Sequence, residues 1–461
     1  MPAFQAKQIK ALKNGITGTV IQPGDADYDG ARTIWNAMID KRPALIVQCL
    51  STPDVVQAVN FARTHTLSLA VRSGGHNIAG SALCDGGLVV DLSQMKTAKV
   101  DKGAQRVTIE AGATLGDLDA ATQPHGLATP VGINSTTGVA GLTVGGGFGW
   151  LSRKHGLTID NLESAEVVTV AGEVVRASAT DNPDLFWAIR GGGGNFGIVT
   201  RFEFRLHPVG PDLLTGLIVY PIAEAKSVLQ QYRAFAAKAP DELSVWVVLR
   251  KAPPLPFLPE AVHGTEVVIL ALCYAGAPKD GEALVEPLRH WGTPVGESVG
   301  VQPYVNWQQA FDPLLTPGAR NYWKSHNFTT LEDGLFDTVL ASISTLPSPQ
   351  CEIFFAGLGG ATSKPSAEST AYAARDAQFV MNVHGRWDDA ADDKRCIDWA
   401  RAFFAASAPF ATGGAYVNFM TSDEGDRVEA AYGPNYKRLA ALKRKYDPDN
   451  LLATNQNIKP A

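Results

Sequence analysis

Between Gly132 and Gly149, seven of eighteen residues are glycine (132, 138, 141, 145, 146, 147 and 149). Neither a regular helix nor a regular strand tolerates that density, because each glycine costs conformational entropy and offers no side chain to pack. The segment is predicted to be mostly tight backbone turning against something that needs close approach. Two further clusters lie in the same region, Arg72-Ser73-Gly74-Gly75-His76-Asn77 and Gly191–Gly194 with Gly197. The 45 glycines in 461 residues exceed the usual ~7%, and their clustering points to a site.

The rest of the composition narrows the class. With 40 Lys+Arg against 46 Asp+Glu, the net charge of −6 leaves no general footprint for nucleic acid or an anionic membrane. No apolar run approaches the roughly 20 residues of a spanning helix. The start, MPAFQAKQIKALKNG, lacks the apolar stretch of a secretory signal. Five scattered cysteines with no CxxC argue against a disulfide framework or a zinc ribbon, so a reducing cytoplasm is the default expectation.

Three folding units fit this length. Up to about residue 210, strands alternate with helices. Ser51-Thr52-Pro53-Asp54 starts a helix, LSLAVRS is a strand running into Gly74, and GGLVVDLSQM and RVTIEAGAT are further strands. TLGDLDAATQPHG reads as a helix stopped by Gly126, Asn182–Trp187 as another helix, and Ile198–Leu206 as a strand. From 211 to 410, β runs (LSVWVVLR, TEVVILALCYA, CEIFFAGL, AQFVMNVHGRW) separated by helices such as AKSVLQQYRAFAAKA imply an α+β unit on an antiparallel sheet. KAPPLPFLPE reads as a surface excursion. From 411 to 461, AYVNFM reads as a strand and NYKRLAALKRKY as a basic helix.

Gly192-Gly193-Gly194-Asn195-Phe196-Gly197 satisfies G-x-G-x-x-G, but a helix precedes it and a strand follows. The dinucleotide mechanism requires the reverse order, so a Rossmann site is rejected. A P-loop motif is missing, and the nine histidines show no metal-ligand spacing, so no metal is expected. Arg72–Asn77 lies at a strand end, where exposed backbone N–H groups form a nest for an anion such as pyrophosphate; a plain tight turn is the competing reading.

Read in order, RSGGHNIAG, GGLVVDLSQM, GVAGLTVGGGFGWLSRKHGLTIDNL and PDLFWAIRGGGGNFGIVT resemble the FAD-linked oxidoreductases of the vanillyl-alcohol oxidase/p-cresol methylhydroxylase superfamily. YVNF and NYKRLAALKRKYDPDNLLATNQNI are similar to the closing segment of its berberine bridge enzyme-like branch. The resemblance implies a two-part FAD-binding domain (1–210) completed by the C-terminal segment (411–461), with an antiparallel-sheet substrate domain (211–410) between them. It implies FAD bonded covalently through His76. Arg72, Ser73, Gly74, Gly75, His76 and Asn77, with Gly80, would hold the pyrophosphate. Gly138, Gly141, Gly145 and Gly147 would pass close to the ring system and ribityl chain, Gly197, Ile198 and Val199 along the adenine, and Asn418 against the ring. Asn134 stands where many bicovalent relatives carry a second flavin-linking cysteine, so a single attachment is implied. Thr137 stands where relatives gate oxygen with an aliphatic residue.

Along Gln378–Arg386 the odd positions Phe379, Met381 and Val383 are apolar, while Asn382, His384 and Arg386 share the other face. That face either meets water or roofs the flavin, and the resemblance favours the flavin. Tyr416 and Asn418, two apart in an expected strand, share a face. Tyr416 would act as base, with His384 and Asn382 as further catalytic candidates. A phenol with an ordinary pKa near 10 needs a positive neighbour or the flavin to do so. Glu352 interrupts an apolar run and belongs either at a strand end or in the site. The expected activity is oxidation of a C–OH or C–N bond of a small-molecule substrate, with molecular oxygen reduced to hydrogen peroxide. The alternatives are a dehydrogenase with another electron acceptor, or a flavin-carrying binding protein.

Overall fold

Short strands rich in β-branched residues alternate with helices through the N-terminal region, and the computed structural model, which describes residues 4–461, folds them into two main sheets and a two-stranded ribbon, Leu127–Ala128 with His207–Pro208. The first sheet has the order Thr19–Ile21, Leu45–Gln48, Leu88–Asp91, Leu69–Arg72, with the last three strands parallel. Helix Thr52–Thr64, with its proline in the first turn, joins Leu45–Gln48 to Leu69–Arg72. The second sheet is antiparallel, in the order Ala98–Asp101, Arg106–Glu110, Ile198–Arg205, Leu162–Val168, Val174–Ser178. Local signals operate as chemistry demands. Thr114 caps helix Leu115–Thr122 in a reciprocal box with Asp117, and Gly126 ends the following turn at φ 67°.

The middle of the chain builds one seven-stranded antiparallel sheet. Its order is Gly296–Pro303, Asp212–Pro221, Glu266–Tyr274, Leu243–Lys251, Glu352–Gly357, Phe379–Trp387, Arg320–Phe328. One face, with Val245, Val247, Leu249, Ile353, Phe355, Met381 and Val383, packs under helices Ala225–Ala236, Asp333–Ile343 and Asp393–Ser407. The opposite face turns towards the N-terminal sheets, so strand Phe379–Trp387 is buried along its whole length. Both faces are thus removed from water, which the alternation in sequence left open.

The C-terminal segment crosses back. Ala415, Val417, Met420, Tyr432, Leu439, Leu452 and Ile458 join the same apolar core as the N-terminal strands. Lys443 and Asp447 anchor it as a completely buried ion pair, Nζ to Oδ2 at 2.6 Å. Lys443 Nζ also donates to the carbonyls of Asn195 and Leu452, both at 3.0 Å, and Asp447 accepts from the N–H groups of Leu451 and Leu452. Among the described residues, no helix is long and apolar enough to cross a membrane.

Three local expectations are corrected. AYVNFM is not a strand: Val417–Phe419 is a single tight helical turn, packed beside the edge strand Arg320–Phe328 without pairing to it. The glycine-rich stretch does contain a helix, Val139–Val144, whose Val139 and Thr143 are buried and offset the helix cost of Gly141. KAPPLPFLPE is more than a surface excursion, since Ala252 and Leu258 are buried in a small cluster against Val219, Val267 and Ile269.

Removing one partner of a buried pair strands the other charge, at a typical cost of about 3–5 kcal/mol. Asp447→Asn is therefore expected to lower the free energy of unfolding in urea by that order, read as a fall in the midpoint at constant m; an unchanged midpoint would show that the anchor contributes nothing.

Candidate active site

A cavity of about 390 Å³ opens between the N-terminal sheets, the C-terminal segment and the inner face of the seven-stranded sheet. Its shape begins with two glycines. A Cβ on Gly74 would lie 2.4 Å from the backbone nitrogen of Gly138, and a Cβ on Gly138 equally close to that of Gly74. Only glycine lets the loop after strand Leu69–Arg72 meet the start of helix Val139–Val144 at this distance. A Cβ on Gly141 would instead meet nothing within 4 Å, so the helix presents bare backbone to the cavity.

Of the residues expected at the cofactor, Ser73, Gly74, Gly75, His76, Asn77, Asn134, Thr137, Gly138, Gly141, Gly197, Ile198, Val199 and Asn418 line this cavity, as do Tyr416, Asn382 and His384. Four do not form its walls. The Arg72 guanidinium turns away to the carbonyl of Ala31. Gly80 packs against Ile39, and its carbonyl accepts from Lys41 Nζ at 2.8 Å. Gly145 has no room for a Cβ because Asn418 Oδ1 would be 2.1 Å away. Gly147 acts one layer behind the wall, through its N–H.

His76 stacks on Trp35 with centroids 5.2 Å apart. Thr136 Oγ1 lies 2.8 Å from His76 Nε2 and gives its own proton to Asn134 Oδ1 at 2.7 Å. Thr136 is thereby left to accept from Nε2–H, and the lone pair of the imidazole resides on Nδ1. Burial pushes the imidazole down to about 4, so the ring is neutral at physiological pH.

At the opposite wall, the oxygen of buried Tyr416 accepts from Gly147 N at 3.0 Å and from Asn418 Nδ2 at 2.9 Å. Burial dominates and pushes this phenol up to about 12, against the opposing pull of those two donors. Tyr416 and Asn418 do converge, though through a helical turn rather than a strand face. No cation accompanies the pair; two N–H donors stand where sequence reasoning asked for a positive neighbour.

Glu352 is both the first residue of its strand and a wall of the cavity. Burial alone would raise its carboxyl, but Arg250 at 2.6 Å and His384 Nδ1 at 3.2 Å outweigh burial and hold it below the usual range. Burial in turn holds the His384 imidazole below its ordinary value. Sequence reasoning missed Arg250, Trp246, Phe354 and the C-terminal Asn455 at this cavity. The period-two spacing of Trp246, Val248 and Arg250 was the available signal for the first. Asn382 Oδ1 and Asn455 Oδ1 are buried here without any hydrogen-bond partner, as is Trp323 Nε1. Unpartnered polar atoms around a cavity mark a place built for a bound molecule.

Comparison with known proteins places this geometry. The FAD binding domain family matches residues 43–178, and the family described as berberine and berberine like matches residues 415–459. An FAD-linked oxidoreductase of Dictyostelium discoideum is 34% identical over 450 residues, 96% of this chain and 95% of that protein. The (R)-6-hydroxynicotine oxidase of Paenarthrobacter nicotinovorans is 32% identical over 459 residues, 96% and 97% of the two chains. The crystal structure of 6-hydroxy-D-nicotine oxidase from Arthrobacter nicotinovorans superposes with a TM-score of 0.87 at 30% identity, over 97% of this chain and 98% of that one. Physcomitrella patens BBE-like 1 gives 0.88 at 25% identity, over 98% and 99%.

Because the space beyond Gly141 is open, Gly141→Leu is expected to fold with the native circular-dichroism spectrum and to lose the visible absorbance of bound flavin. Full flavin content in that variant would place the cofactor elsewhere.

Proposed function

The chain belongs to the berberine bridge enzyme-like FAD-linked oxidoreductases, and from that premise we propose that it is an oxidase with FAD attached once, through His76, acting on a small molecule that carries a C–OH or C–N bond. The observation that carries this reading is the placement of two differently tuned groups, neutral His76 and doubly hydrogen-bonded Tyr416, on walls of one cavity. FAD fits the residues present: bare backbone at Gly141, the Ser73–Asn77 loop and the unpartnered Asn455 would hold it, with Gly197–Val199 and Asn418 alongside. When bound, FAD supplies the hydride acceptor and, with molecular oxygen as the terminal oxidant, yields hydrogen peroxide.

The chain's own residues prepare both ends. The His76–Thr136–Asn134 relay leaves the ring's lone pair on Nδ1, which suits attachment, and Asn134 has no thiol for a second bond. Tyr416 takes the substrate's heteroatom proton as hydride leaves carbon. Gly147 N–H and Asn418 Nδ2–H already point at its oxygen, so they stabilise the phenolate form without reorganising. Aromatic walls exclude water. A dehydrogenase on the same scaffold would use identical residues for this half of the reaction and differ only in the second oxidant.

Acid precipitation is expected to leave yellow colour in the pellet of the wild type. His76→Ala should release it, and Thr136→Val, which frees the tautomer, should lower the bound fraction; colour leaving with the wild-type supernatant would sink the covalent assignment. Tyr416→Phe is expected to slow anaerobic flavin reduction by roughly 10²–10⁴-fold while retaining flavin. A raised phenol is mostly protonated at neutrality and only its ionised fraction can accept a proton. The wild-type reduction rate should therefore climb with pH from 7 towards the phenol's ionisation, and Tyr416→Phe should abolish the climb; a flat wild-type profile would reassign the base. Rapid reoxidation of reduced enzyme on mixing with air separates oxidase from dehydrogenase.

A further inference from the structure

Trp35 is buried beside His76, where the N-terminal region meets the unit built on the seven-stranded sheet. Its backbone N–H donates to the carbonyl of Gly75 at 3.1 Å, and its indole Nε1–H to the carbonyl of Leu315 at 2.9 Å. The next residue repeats the bridge. Asn36 Nδ2 donates to the carbonyls of Ile78 and Asn321, both at 3.0 Å, and Asn36 Oδ1 accepts from Asn321 N at 2.9 Å. Residues 35 and 36 thus tie the loop carrying His76 to the start of strand Arg320–Phe328 and to the turn at 312–316. That turn also reaches the segment that meets His76 Nε2. Asp312 Oδ1 accepts from Ser135 N at 3.0 Å, and the Leu315 carbonyl accepts from Asn134 Nδ2 at 3.4 Å. One turn therefore holds both the indole that stacks on the imidazole and the segment that hydrogen-bonds to it.

The two contacts at His76 act differently. Nε2 lies close to the extension of the Cβ–Cγ bond, so its hydrogen bond to Thr136 sets the tautomer but holds the ring's rotation about that bond only weakly. Nδ1 lies well off that axis and swings with the rotation. A flat neighbour resists the swing, and the Trp35 ring lies at 22° to the imidazole plane with centroids 5.2 Å apart. The indole is itself fixed, by its Nε1–H, by the Trp323 ring edge-on at 5.7 Å, and by the Arg386 guanidinium 5.2 Å from its centroid. Arg386 in turn donates to the carbonyl of Thr316 at 2.6 Å, in the same turn. A nucleophile reacts only when its lone pair points along the bond being made, so a fixed ring plane raises the rate of bond formation.

Resting on the single-attachment reading above, we infer that Trp35 is a positioning residue for the bond between flavin and His76, and that the turn at 312–316 sets the indole in place. Attachment joins imidazole Nδ1 to the flavin 8α-carbon. The N–C bond forms as one methyl C–H bond breaks; that hydrogen and the Nε2 hydrogen leave as protons. The two electrons of the C–H bond stay in the flavin until molecular oxygen takes them, with two protons, as hydrogen peroxide. Trp35 exchanges nothing in this step. It holds the ring plane, and so acts on the rate of attachment and not on the affinity for FAD. Because the side-chain supports of the indole all come from the seven-stranded unit, attachment follows docking of that unit against the N-terminal region.

The test separates covalent from total flavin. Full-length protein produced under riboflavin limitation is mixed with excess FAD in air and desalted at intervals. The visible band gives total bound flavin, and the colour left in an acid pellet gives the covalent share. Trp35→Leu, which keeps apolar bulk but no plane, is expected to keep total flavin and the native circular-dichroism spectrum while gaining covalent flavin about tenfold more slowly than the wild type. Trp35→Phe, which restores a flat face without the Nε1–H, should recover most of that rate. A merely structural role would lower total and covalent flavin together and give the phenylalanine variant no advantage in their ratio. Where Trp35→Leu loses the native spectrum, Trp35→Met, equally without a plane, takes its place. An unchanged rate in the leucine or methionine variant, or a parallel loss of total and covalent flavin, overturns this inference and leaves the attachment reading standing. Wild-type colour that leaves entirely with the acid supernatant sinks the attachment reading itself, and this inference with it.

Discussion

The approach of Gly74 to Gly138, closer than any Cβ permits, is the contact on which the site depends. It joins the end of a parallel strand to the start of a short helix, and so brings His76 and Thr136 from opposite sides of one seam into hydrogen-bond distance. The same seam leaves helix Val139–Val144 running along the cavity with Gly141 bare. Further along, Gly145 and Gly147 repeat the device against the C-terminal segment, where Asn418 fills the space a side chain would occupy and Tyr416 accepts from Gly147. Glycine here is a means of bringing polar backbone to a fixed place, and its entropic cost is met by the large apolar cores on either side.

The buried Lys443–Asp447 pair belongs to the same design. A segment distant in sequence must be held against the N-terminal core if Tyr416 and Asn418 are to reach Gly147 and Gly145, and apolar contact alone would not set its register. A pair in which all three Nζ–H groups and both carboxylate oxygens have partners, including the carbonyl of Asn195 in the glycine-rich turn, does so.

Much of this was legible in sequence because it follows from period and from glycine. The alternation of Phe379, Met381 and Val383 against Asn382 and His384 identified the face that packs under helices, and left open whether the other met water or the cavity it lines. The clustering of glycines located the cavity. What escaped was set by tertiary partners. Val417–Phe419 lies beside a sheet edge yet forms a turn, and whether Pro253 and Leu255 faced water depended on the cavity they line. Arg250 was illegible for a different reason: the end of a strand is where a lone basic residue ordinarily meets solvent, and only the pairing of Arg250 with Glu352 shows that it is buried.

Burial does three distinct jobs across the cavity, and the neighbours decide which. At His76 nothing opposes it, and the imidazole becomes neutral with its lone pair directed by a hydroxyl relay. At Tyr416 two N–H donors oppose it without winning, so the phenol keeps its proton yet is prepared to lose it. At Glu352 a guanidinium wins outright and the carboxylate stays charged in the cavity wall. The last case depends on sheet register more than on any local feature. A slip of one residue between strands Leu243–Lys251 and Glu352–Gly357 would set Arg250 opposite Ile353 instead of Glu352, or send it to the helix-covered face, leaving two buried charges apart. An ion pair that contributes little net stability can still make every wrong register costly. The Arg250–Glu352 pair thus defines how the sheet assembles.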